Sequence, residues 1–333
     1  RKDARHLLEY PPAAGLIKHR EAGAAWFRQL GADADPRSVF ITSGAQHALS
    51  IILTGETKPG DTIAAEEYTY PGIKAVAEQR GVHIEGVACD DEGMVPEALE
   101  TLCRKRKIRM LYCNPHLQNP TNLNWTARRR REIVNLADKH GIAVIEDEIL
   151  TPLMPQSPGL LHTLQPQRTF LVLSTSKVVA AGLRVGFVLA PKDSRDRMDE
   201  SLYASCLGGP PLTAEIFANW MEDGTIDRVI AARRREIASR QQVAEQALHG
   251  LTLKNHPSSY HVWLLLPEGW SGMRLAMEAQ RRGVKLTPAE AFAIEDRHAV
   301  AAVRLSLVAA PTEAILKSGL TTIADILSSR PGR

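Results

Sequence analysis

The feature that most constrains this chain is a rhythm. Through its first two thirds, short apolar runs rich in β-forming residues alternate with stretches of helical periodicity. The strand runs are Val39–Thr42, Thr62–Ala65, His83–Val87, Arg109–Cys113, Ala143–Glu146, Thr169–Leu173 and Val185–Ala190. Helical patterns at Gln46–Leu53, Gly72–Gln79, Pro96–Arg106 and Ala127–His140 separate several of them. Strands that alternate with helices build a mainly parallel sheet covered on both faces. Turn-forming stretches agree, at Lys58-Pro59-Gly60-Asp61 and Asp90-Asp91-Glu92-Gly93, and Thr126 is placed to cap the helix that follows it. After about residue 205 the rhythm changes. Gly208-Gly209-Pro210-Pro211 interrupts the chain, and a long helical pattern runs from Ile226 to Leu248. Strand runs at Ser259–Leu265 and Val300–Leu307 and helices at Gly272–Arg282 and Glu313–Leu327 complete a smaller α+β unit. The expectation is an α/β protein with a large domain over 36–207 and a small domain built from 1–35 and 208–333.

Composition excludes several classes. Of 333 residues, 44% are hydrophobic and 24% charged, ordinary globular usage. The net charge of +3 is too small for a dedicated nucleic-acid binder. The arginine runs Arg128–Arg131 and Arg233–Arg235 read as solvated helix faces. No apolar run reaches the ~18 residues that a spanning helix needs. Cys89, Cys103, Cys113 and Cys206 have neither zinc nor redox spacing, so reduced thiols in a cytoplasmic protein are expected. The chain starts at Arg1 and not at Met, which suggests a piece of a longer protein.

The most informative stretch is Ser174-Thr175-Ser176-Lys177, followed by Gly182-Leu183-Arg184-Val185-Gly186. It begins where the apolar run Phe170-Leu171-Val172-Leu173 ends, and ligands of α/β sheets bind at the carboxyl ends of strands. A lysine of depressed pKa there can attack a carbonyl and form a Schiff base. Seven residues on, Arg184 can grip a phosphate dianion. An acidic cluster, Glu146-Asp147-Glu148, ends the run Val144-Ile145 at the same expected sheet edge. Thr42-Ser43-Gly44-Ala45-Gln46 is a strand-turn-helix junction whose free N–H groups make a phosphate cradle. Arg304 sits inside the apolar run Val303-Arg304-Leu305-Ser306-Leu307 and calls for an anion, because an unpaired buried charge is costly. A rival pattern exists: Ser174-x-x-Lys177 with Lys317-Ser318-Gly319 imitates penicillin-binding serine enzymes. Lys317 falls in a helical pattern, however, and no S-x-N lies between the two segments.

The lysine stretch resembles the pyridoxal-phosphate motif of fold-type-I aminotransferases (class I/II). Further segments follow in the family's order: Tyr10-Pro11-Pro12-Ala13-Ala14-Gly15, Thr42 to Leu49, Glu66 to Gly72, Asn114 to Thr121, and the strand around Arg304. The resemblance implies a pyridoxal-phosphate-dependent transferase fold of type I, with a mainly parallel seven-stranded sheet and a smaller α+β domain. It implies that pyridoxal 5′-phosphate is held by Lys177, and its phosphate by Ala45, Gln46, Ser174, Ser176 and Arg184. Asp147 would hold the ring nitrogen and Asn119 the phenolic oxygen. Tyr70 would stack on the ring, with Tyr68 in reserve. Arg304 would take the substrate carboxylate, with Asn119 beside it. Tyr10 would reach the phosphate of a neighbouring subunit, which implies a homodimer with shared sites. No metal is called for.

The implied reaction moves an amino group between an amino acid and a 2-oxo acid, with Lys177 as the proton carrier. The wording of several segments is similar to the aminotransferase-like domain of MocR-type regulators of the GntR family, where a winged helix-turn-helix precedes it. That gives the alternative: a domain that senses pyridoxal phosphate and an amine with little turnover, binding no nucleic acid through this chain itself. Three departures stand out. Leu150 occupies the position where many members carry a Tyr three residues after the Asp, Ala181 replaces a frequent Pro, and Asn122 stands where the family usually has Gly.

Overall fold

The computed structural model describes residues 5–156, 159–295 and 299–329. The ends of the expected small domain, 1–4 and 330–333, lie outside the described residues. Among the described residues, thirteen strands run in chain order: β1 Val39–Thr42, β2 Thr62–Glu66, β3 His83–Val87, β4 Cys89–Asp90, β5 Gly93–Met94, β6 Ile108–Cys113, β7 Ala143–Asp147, β8 Thr169–Ser174, β9 Gly186–Leu189, β10 Thr252–Lys254, β11 His261–Leu265, β12 Thr287–Pro288 and β13 Ala302–Ser306. Twelve α-helices among the same residues join them: α1 Ile17–Gln29, α2 Ala45–Glu56, α3 Pro71–Gln79, α4 Pro96–Lys105, α5 Ala127–Lys139, α6 Leu161–Leu164, α7 Thr175–Val178, α8 Arg195–Cys206, α9 Pro211–Glu222, α10 Thr225–Ala247, α11 Gly272–Arg281 and α12 Glu313–Ser328.

The large sheet has seven strands in the order β1-β9-β8-β7-β6-β2-β3. Only β9 runs against the others. The carboxyl ends of β1, β2, β6, β7 and β8 therefore share one edge, and the amino end of β9 joins them there. The strands of this sheet that lie inside it are buried on both faces, which is why β2, β6 and β8 read as nearly unbroken apolar runs. On one face α2 and α3 cover Ile63, Tyr112, Ile145, Phe170 and Val172. On the other, α4 and α5 pack with Leu111, Val144 and Leu161, while α1 and α9 bring Trp26, Phe27 and Phe217 against Phe187.

The second sheet is antiparallel, in the order β10-β11-β13-β12. One of its faces is packed by α10, α11 and α12 through Val262, Leu264, Val303 and Leu305. By the two-residue period of a strand, the alternate positions Trp263 and Ala302 face the other way and pack with Phe292. Lys317 lies in α12 and not on a strand, which removes the serine-enzyme pattern.

Two expectations need correction. The run Arg128–Arg131 is not a solvated face: Arg129 and Arg130 are buried. Consecutive helical residues turn by about 100° each, so a run of four cannot stay on one side. Arg129 pairs with Asp90 and donates to the carbonyls of Gly93 and Met94, and Arg130 donates to the Trp125 carbonyl. Arg234 is likewise half-buried and donates to the carbonyls of Pro152, Leu153 and Met154.

Asn122 gives the turn after β6 its shape. Its φ of 62° lies in the left-handed region, which Asn tolerates better than most residues. Its amide donates to the carbonyls of Lys254 (3.0 Å) and His261 (2.9 Å) and accepts from Ser259 (2.6 Å), tying this loop to the second sheet. Asn122→Gly would keep the backbone and lose these bonds; Asn122→Ala would lose both. Alanine should cost about 2–3 kcal/mol in urea unfolding and glycine somewhat less. Two variants as stable as the wild type would show that the turn does not depend on this side chain.

Candidate active site

A cavity of about 350 Å³ opens where the strand ends of the large sheet meet the inner face of the small one. Its size suits a small ligand. Every expected site residue except Tyr10 lines it: Ala45, Gln46, Tyr70, Asn119, Asp147, Ser174, Ser176, Lys177, Arg184 and Arg304. Tyr10 is 85% exposed and lies outside it. Tyr68 does not line it either; its hydroxyl accepts from the Val300 amide and its ring packs near Trp263.

Asp147 ends β7 and forms the floor. It is 2% exposed and has no cationic partner among the described residues. Tyr112 donates to its Oδ2 at 2.8 Å, and Asn114 donates to its carbonyl at 2.8 Å. Burial outweighs these bonds and pushes its carboxyl up to about 6. Behind it, His116 lies 2.7 Å from Glu148 and 3.0 Å from Arg130. Burial pushes Glu146 and Glu148 up to about 8 and His116 down to about 4.

Lys177 lies in α7, just past β8. Ser174 caps that short helix by accepting from the Ser176 amide. Partial burial first, then the charges of Arg304 and Arg184, lower the amine below the usual lysine range. The residue keeps solvent access through the cavity mouth. Among the described residues no carboxylate pairs with Lys177.

A set of anion-binding donors lies between α2 and Arg184. Arg184 donates to Ser176 Oγ and to the Ser43 carbonyl, both at 3.2 Å. Gly44 is required at the helix start: its φ is +88°, and a Cβ there would lie 2.8 Å from Arg184 Nη2. The Gln46 side chain donates to the Gly72 carbonyl at 2.9 Å. What α2 offers an anion is therefore the backbone N–H groups of its first turn. A Cβ at Gly72 would come within 2.2 Å of both Gln46 Oε1 and the Tyr70 ring, so glycine there lets Tyr70 reach the cavity.

Arg304 projects from β13 across the cavity. One of its terminal nitrogens, Nη1, donates to Asn119 Oδ1 at 2.9 Å, which leaves the Asn119 NH₂ as a donor. Its guanidinium stands 4.8 Å from the Phe292 ring centre, and its Nε is buried without a partner. No acid among the described residues answers it. A structural salt bridge is thereby removed as its purpose.

Sequence reasoning missed Asn114 and Tyr112, which position Asp147, and Tyr260, His261 and Ser306, which line the small-domain wall. Asn114 is the first residue past β6, so its place at a strand end was available as a signal. The others depend on strand register. Among the described residues, no cluster of His, Cys, Asp or Glu could hold a metal and no helix is long and apolar enough to cross a membrane.

The model of one family, aminotransferase class I and II, matches residues 1–323. The chain belongs to that family. It is 28% identical over 98% of its length to YdeF, an uncharacterized HTH-type transcriptional regulator of Bacillus subtilis, and spans 71% of that protein. It spans 62–65% of three further regulators so described. It is also 25% identical over 98% of its length to aromatic-amino-acid aminotransferase 1 of Thermococcus litoralis, of which it covers 81%. The crystal structure of LysN, the α-aminoadipate aminotransferase of Thermus thermophilus complexed with N-(5′-phosphopyridoxyl)-L-leucine, has the same fold. Its TM-score is 0.88 at 23% identity, covering 98% of this chain and 85% of that one. The fold is thus that of type I pyridoxal-phosphate enzymes, and pyridoxal 5′-phosphate is the cofactor. The site fits it. A buried carboxylate without a cation faces the cavity, a lysine amine of lowered pKa stands beside it, and N–H, hydroxyl and guanidinium donors make a dianion cradle.

Asp147 yields a test in the cofactor-free protein. Its pKa is raised from 3.8 to about 6, so the unfolded chain releases this proton first. The resulting cost is absent below pH ~4, grows between ~4 and ~6 and is constant above. Asp147→Asn, which cannot ionise, should gain stability relative to wild type across that window. Glu146 is common to both proteins and cancels, whereas Glu66 and Glu148, which burial and the Asp147 charge raise to about 8, relax in the variant and add a smaller gain of the same sign up to pH ~8. Urea midpoints from pH 4 to 8 decide it; a pH-independent difference would mean that Asp147 is not held against its charge.

Proposed function

We propose that this chain transfers an amino group between an amino acid and a 2-oxo acid. One observation carries the reading. Among the described residues, Lys177 and Arg304 face one cavity with no ion-paired acid for either, and Asp147 is the sole carboxylate lining it. Such a site selects a ligand that brings its own carboxylate and a cofactor that brings a protonated ring nitrogen.

Bound pyridoxal phosphate supplies an electron sink that acidifies the Cα–H of an attached amino acid. The residues of the chain supply the rest. Asp147 would pair with the protonated ring nitrogen, and Tyr112 and Asn114 fix the direction of Asp147. Arg304 would grip the substrate carboxylate through the Nε edge that Asn119 leaves free, which would set Cα towards Lys177. The Lys177 amine, its pKa lowered by burial and then by its cationic neighbours, would take up and carry the proton that leaves Cα. Leu117, Ile149, Leu150 and Val308 form an apolar wall that limits water at that proton.

A second reading is favoured by Leu150 and by the regulator relatives: a domain that binds cofactor and an amine and turns over slowly. Leu150 is buried and offers no hydrogen bond where many members have a phenol. Half-reaction spectroscopy with a panel of amino acids separates the two. Rapid conversion to the aminated cofactor supports transfer; a stalled adduct supports sensing. A winged helix-turn-helix in the upstream coding sequence would also favour the second. Homodimerisation through the Tyr10 segment belongs to both readings.

Lys177→Ala should lose the visible absorption of the bound cofactor and the cofactor-labelled peptide left by borohydride reduction. Retention of both would place the anchor on another lysine. Arg304→Ala should weaken amino-acid binding about a hundredfold while cofactor affinity changes little. Equal losses would make Arg304 a structural residue.

A further inference from the structure

His261 belongs to no role assigned above. It opens β11, where its Cα partner on β13 is Ser306, while Arg304 is partnered by Trp263. Val262 and Leu264 pack into the helical side of this sheet with Val303 and Leu305. By alternation, His261, Trp263, Arg304 and Ser306 therefore share the face turned to the large sheet, and His261, Arg304 and Ser306 all line the cavity.

The ring is 4% exposed, yet its Nε2 has no hydrogen-bond partner. The other nitrogen, Nδ1, stands 3.5 Å from Ser259 Oγ, whose single proton goes to Asn122 Oδ1 at 2.6 Å. When that hydroxyl swings its proton from Asn122 to Nδ1, the single ring N–H sits at Nε2, the tautomer that an arriving carboxylate selects. The carbonyls of Gln118 and Pro120 lie beside the imidazole and favour an N–H over a bare lone pair. Burial first, and the Arg304 charge next, push its pKa down to about 3, so the ring is neutral and carries one N–H. Arg304 meanwhile commits Nη1 to Asn119. A carboxylate docked on its remaining edge still has free acceptor sites, since its two oxygens together accept about four hydrogen bonds.

We propose that His261 is a second polar contact for the ligand carboxylate, its Nε2–H donating to the oxygen that reaches the cavity wall beside Arg304. The inference rests on the carboxylate-docking reading above and adds a residue to it. A buried imidazole without a partner costs stability; a ligand that arrives with a negative oxygen satisfies it. His261 then helps to distinguish α-amino acids from simple amines.

The test compares L-leucine with 3-methylbutylamine, and L-phenylalanine with 2-phenylethylamine. Each pair differs only in the carboxylate. Binding to the pyridoxal-phosphate-loaded protein is followed by the change in its visible spectrum, and melting temperatures check that each variant folds. His261→Phe should weaken both amino acids about tenfold and leave both amines unchanged, with His261→Gln restoring part of the loss. Equal weakening of acid and amine, or no weakening of either, overturns the proposal and makes His261 a packing residue. Arg304→Ala tells the two levels apart. If it discriminates acid from amine while His261→Phe does not, only the His261 proposal fails. If neither variant does, the docking reading fails with it.

Discussion

The site depends on an imbalance of charge held in a confined space. Lys177, Arg184 and Arg304 gather around one cavity, and Asp147 at its floor is the only acid among the described residues that lines it. No ion pair within the chain neutralises Lys177 or Arg304 among the described residues. Such an arrangement raises the folding cost, because unpaired charge is poorly tolerated out of water. A fold keeps it only where ligands complete the balance. Pyridoxal 5′-phosphate brings a phosphate and a ring nitrogen that fit this balance.

The large sheet makes this possible by directing strand ends. Six parallel strands bring their carboxyl ends to one edge, and the reversed β9 starts there, two residues after Arg184. Each strand end carries one chemical part: Gly44 and the start of α2 after β1, Tyr70 after β2, Asn114 after β6, Asp147 at the end of β7, and Ser174 to Lys177 at β8. The small sheet closes the opposite wall with Arg304 and His261. Asn122 and Asn119 join the halves, the first through Ser259 and the carbonyls of Lys254 and His261, the second through Arg304. The two walls of the cavity are thus held in register by hydrogen bonds between the halves.

Beneath the floor lies a buried polar layer of Glu66, Glu146, Glu148, His116 and Arg130. Glu66 accepts from the Asn114 amide and from Trp125, so it fixes the residue that in turn fixes Asp147. Arg130 reaches this layer from a helix whose arginine run looks solvent-facing on paper. Buried carboxylates with raised pKa beside neutral histidine let the layer orient groups without placing full negative charge near the cofactor.

Much of this was legible in the sequence. Strand and helix positions in the large domain follow from local periodicity, and β1 and β3 have the bounds that periodicity indicates. The lysine segment, the acidic end of β7 and the arginine in an apolar strand each state their chemistry locally, because a charge at a strand end or inside a strand has few uses. What the sequence left open are properties of relative position. Whether Arg304 meets an internal acid, which side of α5 each arginine takes, and that His261 shares a wall with Arg304 depend on register and on packing between sheets. Those contacts join residues from 14 to 185 positions apart, and a linear pattern of residue types carries no information about them until the chain has closed on itself.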